Sequence, residues 1–317
     1  MIEEMKELKA AWKLREELKS FESDSAVRIF HGPGEGKGTL HDIAIDRFGD
    51  HYWITEWKKC GALPVVREFL ESQGAVSAVH LLRPEQGLPG DPEVLFGEPP
   101  KDKFSVHEGK LKFWVRLIGA KHPGLFLDHA PLREWLLAGC KGSRVLNTFA
   151  YTGSLSIAAG KGGATQVTTL DLSKPTIEWA RQNWELNGLK EDRGEFIYGD
   201  YFEWIPRLTR NKRKFDRVIL DPPSFSRGKK GKFSTAKDLQ KLHELAFEVL
   251  EKGGILCTSI NSASVSRKKF FYDIHLAAKE KARQIEIIRE IELPRTFPTR
   301  PSLEADRYLK GWILKCD

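Results

Sequence analysis

Two segments of this chain carry residue types that can do chemistry on a nucleotide-like ligand: Val145–Ala164, VLNTFAYTGSLSIAAGKGGA, and Phe215–Ser226, FDRVILDPPSFS. The first has the pattern of a buried strand, a tight turn at Tyr151-Thr152-Gly153 and a helix; the second is a hydrophobic strand ending in an acid, two prolines and an aromatic. Between them, Asp171 closes a strand-like TTLD and Asp200 closes IYGD. Open parallel sheets bind ligands at the carboxyl ends of their strands, where strand order reverses. There Gly153 lets the backbone approach a ligand that a Cβ would obstruct, Asp171 is placed to accept both hydroxyls of a ribose, and Asp200 to accept from an adenine amine with Tyr201 or Phe202 stacking on the ring. Asp221 then faces the reacting group. Each acid alone also reads as a helix cap; all three in order point to a nucleotide-like cofactor. The glycine spacing GxGxxG of dinucleotide binding is absent, and Asp-Pro-Pro has no role in hydride transfer.

These residues need a scaffold, and the pattern after residue 125 supplies one. A helix near 131–138 leads into RVLNTFA, and strands QVTTLDL, GEFIYGD, RVILDPP and GILCTSI then alternate with helices. That is a parallel sheet covered on both faces. QIEIIREIELP and YLKGWILKC follow with no helix between them, so they form an antiparallel closing hairpin. Residues 1–124 read differently: a charged amphipathic leader from Met1 to Phe21, short strands AVRIF, LHDIAIDRFGD, HYWITEW, AVSAVHLL and LKFWVRLI, and one helix near Leu63 to Ser72. The expectation is a smaller α+β domain over 1–124 and a doubly covered α/β domain over 125–317. The glycine-rich stretch Gly32 to Gly38 lacks the ending of a phosphate-binding loop and reads as a hairpin loop. The leader is expected to pack on its own module.

With 40% hydrophobic and 30% charged residues in 317, the chain has the composition of a globular protein. No apolar run has the length of a membrane span and the N-terminus is not a signal peptide, so a cytoplasmic location without membrane association is expected. Cys60, Cys140, Cys257 and Cys316 lie far apart, which indicates neither a zinc site nor a disulfide framework. Net charge is +7 and the isoelectric point about 9.1, suiting a polyanionic partner. Basic residues gather on both sides of the second motif, Arg207 to Lys214 before it and Arg227, Lys229, Lys230, Lys232 and Lys237 after it. Alone such runs are solvated faces; beside a catalytic loop they are candidates for contacts to phosphates.

GLFLDHAPLREWL, VLNTFAYTGSLSIAAGKGGA, TTLDLSKPTIEWARQNWELNGL and DPPSFS together resemble the bacterial 23S ribosomal RNA methyltransferases that use S-adenosylmethionine (SAM). The likeness is greatest to the guanine-N7 half of the bifunctional enzyme and extends to the 5-methylcytosine family, whose leading PUA domain is expected to be replaced here by the short helical leader. It implies a class I, Rossmann-like methyltransferase fold, a seven-stranded sheet with an antiparallel C-terminal hairpin. It implies SAM held by Phe149, Ala150, Tyr151, Thr152, Gly153, Asp171, Leu172, Ser173, Asn187, Asp200, Tyr201 and Asp221, with Asp221, Pro222, Pro223 and Phe225 at the transfer site. Arg227, Lys229, Lys230 and Lys232 would contact RNA. The implied partner is large-subunit ribosomal RNA, with no metal, and a monomer or homodimer.

Two departures from the family pattern bear on the acceptor. Ala130 stands where GLFLDHR has arginine, so either Arg133 takes over the role of that arginine or the chain does without it. Asn261 stands where the 5-methylcytosine relatives have a cysteine. Methylating a pyrimidine C5 requires thiolate attack at C6, whereas guanine N7 has an in-plane lone pair and needs only alignment. The expected acceptor is therefore guanine N7. Cytosine C5 through Cys257, another RNA, a small molecule, or RNA binding without turnover are the alternatives.

Overall fold

The computed structural model describes residues 2–18, 21, 24–84, 88–228, 231–300 and 308–317. The chain forms two compact units: residues 1–130 with 293–306, and residues 131–292 with 307–317.

In the first unit, helix α1 (Ile2–Glu17) precedes β1 (Ala26–His31), the single-turn α2 (Gly32–Glu35), β2 (Ile43–Phe48), β3 (His51–Glu56), α3 (Leu63–Ser72), β4 (Ser77–Leu82) and β5 (Glu93–Gly97). The five strands form one sheet in sequence order, parallel only between β3 and β4, where α3 makes the crossover. Strands β6 (Phe104–Glu108) and β7 (Leu111–Val115) form a separate hairpin. Leu8 and Ala11 of α1 are buried with Phe69 and Leu70 of α3 and Ile29 and Ile45 of the sheet, so the leader belongs to this unit's core. The glycine-rich stretch after β1 is not a bare hairpin loop. It folds into α2 and a 3-10 turn over Gly38–Asp42, packed so closely that a Cβ at Gly32 would meet three carbonyl oxygens within 2.5 Å.

The second unit follows the alternation of its sequence. Helix α4 (Ala130–Gly139) leads to β8 (Arg144–Thr148), α5 (Ser154–Lys161), β9 (Gln166–Asp171), α6 (Lys174–Leu186), β10 (Gly194–Tyr198), α7 (Tyr201–Arg210) and β11 (Phe215–Leu220). Then come the hairpin β12 (Phe225–Gly228) and β13 (Gly231–Ser234), α8 (Thr235–Val249), β14 (Leu250–Asn261), α9 (Arg267–Glu280), β15 (Ile285–Glu290) and β16 (Leu309–Cys316). The sheet order is β10-β9-β8-β11-β14-β16-β15. The first five strands are parallel, and β16 runs antiparallel to both β14 and β15. This is the class I methyltransferase sheet, with its reversed closing strand, that the sequence led us to expect.

One face of the sheet packs Leu256 and Ile260 against Leu239, Leu242 and Phe247 of α8 and Phe270 and Ile274 of α9. On the other face, α5 is tied down through polar side chains: Asn147 Nδ2 and Thr169 Oγ1 both donate to the buried Ser156 Oγ, at 2.9 and 2.8 Å. The order reverses between β8 and β11, so the crevice at their carboxyl ends is the switch point.

Candidate active site

The turn after β8 carries three left-handed residues in alternation: Phe149 at φ 54°, Tyr151 at φ 50° and Gly153 at φ 78°. Such φ values are uncommon for residues with a Cβ and strained for bulky ones, so a structure that holds them gives up stability for a backbone shape. Three contacts impose it. Tyr151 N donates to Asp171 Oδ2 at 2.8 Å, Gly153 N to Ala150 O at 2.8 Å, and the buried Asn183 Nδ2 of α6 to Thr152 O at 2.9 Å. Gly153 is the N-cap residue of α5. Its glycine requirement comes from the fold itself: a Cβ there would lie 2.8 Å from Ala180 Cβ of α6.

Asp171, the last residue of β9, also accepts from Ser173 N at 2.8 Å and Thr176 Oγ1 at 3.0 Å, both through Oδ1. It thereby fixes the start of α6 as well as the turn. Burial pushes its carboxyl pKa up, against the pull of these three donors. A carboxylate oxygen accepts about two hydrogen bonds, so Oδ2, which accepts from Tyr151 N, has capacity for a ligand hydroxyl. Leu172, beside it, is 38% exposed.

Asp200 accepts from Phe202 N at 2.8 Å and caps α7. Tyr201 is not available to a ligand. It is buried, stacks on Phe149 with ring centroids 5.1 Å apart, and donates its hydroxyl to Leu242 O at 2.8 Å. Phe202 is only partly buried, as are Phe149 and Tyr151. Asn187 also lies elsewhere. It ends α6, near the edge where the strands begin, and its Nδ2 donates to Asn183 O at 2.8 Å. The asparagine that reaches the turn is Asn183, one helical turn earlier, which sequence reasoning missed.

Asp221 follows β11 directly, and its Oδ1 accepts from Ser259 Oγ of β14 at 2.7 Å. Pro222 is buried, Pro223 exposed, and Phe225 is 52% exposed. Ser224 Oγ donates to Asn261 O at 2.7 Å, which ties this loop to the end of β14. Arg133 is fully buried and donates to Ser154 Oγ at 3.3 Å, at the first residue of α5. In the hairpin after Ser224, Arg227 and Lys232 are paired positions of β12 and β13; Lys229 and Lys230 lie outside the described residues.

The reversed closing strand, the strained turn at the switch point and the acids ending β9 and β11 define a class I methyltransferase. The donor set fits SAM: a half-buried carboxylate with a free acceptor direction for a ribose, a turn held in left-handed backbone at the switch point, and a half-buried aromatic at Phe202. The chain belongs to the S-adenosylmethionine-dependent methyltransferase family, whose model matches residues 27–310, and SAM is its cofactor. It is similar to the ribosomal RNA large subunit methyltransferase I of Photobacterium profundum, at 29% identity over 97% of this chain and 79% of that protein. The putative ribosomal RNA large subunit methyltransferase YwbD of Bacillus subtilis is 28% identical over 98% of this chain and 80% of its own length. A crystal structure of SMU.776, a putative methyltransferase complexed with SAH, superposes with a TM-score of 0.88 at 25% identity, over 98% of this chain and 80% of that one.

Proposed function

We propose that the protein transfers the methyl group of SAM to a base of large-subunit ribosomal RNA. The observation that carries this reading is the Asp221–Phe225 loop at the switch point, which holds a carboxylate bonded to Ser259 and, four residues on, an aromatic side chain left 52% exposed. An exposed ring beside the transfer site suits a planar base held outside its helix. The names of the Photobacterium and Bacillus relatives support ribosomal RNA as the carrier of that base. SAM supplies a methyl group on a sulfonium sulfur. In our reading the turn from Phe149 to Gly153, Asp171 and Leu172 hold it, Phe202 covers its adenine, and Asp221 with Pro222 and Pro223 orients the acceptor by alignment. Arg227, Lys229, Lys230 and Lys232, with the net charge of +7, are assigned to RNA phosphates, and residues 1–124 to substrate recognition.

Guanine N7 in particular loses support. The relatives match nearly the whole chain under the name methyltransferase I, rather than as half of a bifunctional enzyme. On the question of carbon against nitrogen, the thiols favour nitrogen. Cys140, Cys257 and Cys316 are buried, and burial pushes the Cys257 thiol far up from its ordinary value. Cys60 is pushed up to about 11. None is a ready thiolate for attack on a pyrimidine.

The test is nucleoside mass spectrometry of large-subunit RNA from cells with and without the gene, followed by restoration with purified protein and labelled SAM. A methylated base lost and restored is the expected result; unchanged RNA overturns the reading. Restored 5-methylcytidine would overturn the thiol argument, and its loss in Cys257→Ala would make Cys257 the nucleophile.

A further inference from the structure

Strand β14 passes from core to surface within a few residues, and its two faces differ. Leu256 and Ile260 point into the cluster formed with α8 and α9. Side chains alternate along a strand, so Cys257, Ser259 and Asn261 share the other face. Cys257 is 0% exposed, Ser259 is 1% exposed and committed to Asp221, and Asn261 is the first residue of that face to reach solvent. Its backbone is fixed from both sides: the carbonyl accepts from Ser224 Oγ at 2.7 Å, and the residue pairs with Leu309 of β16. Its side-chain amide takes part in none of the hydrogen bonds among the described residues. Ser224 in turn precedes the exposed Phe225, so the amide and the ring both lie at the carboxyl ends of β11 and β14, the end at which Asp221 leaves the sheet.

We infer that Asn261 reads the hydrogen-bonding edge of the acceptor base while Phe225 covers its face. The inference rests on the reading of this site as an RNA base methyltransferase. A primary amide offers a carbonyl acceptor and two N–H donors from one planar group, the pattern with which asparagine reads a base edge that sets a donor beside an acceptor. The ligand class is thus a nucleobase with an exocyclic oxygen or amine next to a ring nitrogen. Stacking alone tolerates any base. Selection between bases is what the amide adds.

The experiment compares wild type, Asn261→Ala and Asn261→Asp in kcat/KM on a ribosomal RNA fragment containing the target, and in SAM affinity by calorimetry. Losing an edge contact should lower kcat/KM about 10- to 100-fold in both variants, with SAM affinity within about twofold of wild type. On a fragment whose target nucleoside lacks its exocyclic group, wild type and Asn261→Ala should converge, because there is no edge left to read. A purely structural role predicts the same loss on both fragments, and that result overturns the inference, as does wild-type kcat/KM in Asn261→Ala. A wild-type protein that methylates no RNA overturns the parent reading and this one together; an active wild type with indifferent variants overturns this one alone.

Discussion

Ser259 Oγ donates to Asp221 Oδ1 at 2.7 Å, joining β14 and β11 at the point where the carboxylate leaves the sheet. Thr258 and Leu220, the residues just before them, are register partners, so the bond continues the strand pairing into the loop. With Oδ1 taken by a buried hydroxyl, Oδ2 has one preferred direction. Removing the hydroxyl takes away one of the contacts that set the direction of the carboxylate.

Ser259→Ala is therefore expected to lower kcat by about tenfold, the worth of one hydrogen bond to a charged group. SAM affinity should stay unchanged, because neither residue belongs to the turn after β8. Steady-state kinetics with calorimetric SAM binding checks both halves. A loss confined to SAM affinity would place Asp221 on the cofactor side.

Gly153→Ala combines a left-handed φ of 78° with a Cβ placed 2.8 Å from Ala180 Cβ. The backbone strain alone costs about 1 kcal/mol or more, and the overlap with a helix that cannot retreat adds to it. Urea denaturation without ligand should show a loss of about 2–3 kcal/mol. If glycine were needed only to admit SAM, stability would be unaffected and binding alone would fall.

That distinction shows how far the sequence could be read. Gly153, Asp171 and Asp221 were legible because strand ends and turn residues are local signals, and the closing hairpin was legible because two strand patterns met with no helix between them. Tyr201 and Asn187 misled for the opposite reason. Whether an aromatic after a strand faces a ligand or stacks on Phe149 depends on packing with α8, which lies some forty residues on. Asn183 and Asn187 share a helix face, and only the position of the turn decides between them. The return of the segment after Glu292 to the first unit has no local signature either. There Arg15 donates to Thr296 O at 2.8 Å and Arg28 lies 4.2 Å over the Phe297 ring, contacts between residues hundreds of positions apart.

Asp171 carries a cost that pH exposes. Its folded pKa is raised by burial above the ordinary carboxylate value. The folded state therefore favours the protonated acid, and stability without ligand falls as pH rises from about 4. SAM binding has the opposite dependence, because a ribose hydroxyl needs the ionised acceptor. Asp171→Asn should flatten the acid end of the Tm–pH curve while weakening SAM binding across the neutral range. Thermal scans from pH 4 to 7, with and without SAM, check it; a variant that binds SAM normally would remove Asp171 from the cofactor site.

The buried His243 lies under the same end of β14. Its Nδ1 is 2.6 Å from Leu239 O and must donate to that carbonyl, so Nε2 accepts from Thr258 Oγ1 at 2.9 Å. The ring is held neutral: burial drives its pKa down to about 4, only partly opposed by the Leu239 carbonyl and by Asp273. In the unfolded chain the same group titrates near 6.5. Its contribution to stability is therefore complete above about pH 6.5 and lost as pH falls toward 4, amounting to about 2 kcal/mol between pH 7 and pH 5 by linkage. Urea denaturation at those two pH values should show that loss in wild type. His243→Gln, less stable at pH 7 for want of a well-placed acceptor, should lose markedly less on acidification. Equal slopes in the two proteins would mean that His243 is protonated in the folded state, and the bond from Thr258 would then have to be reassigned.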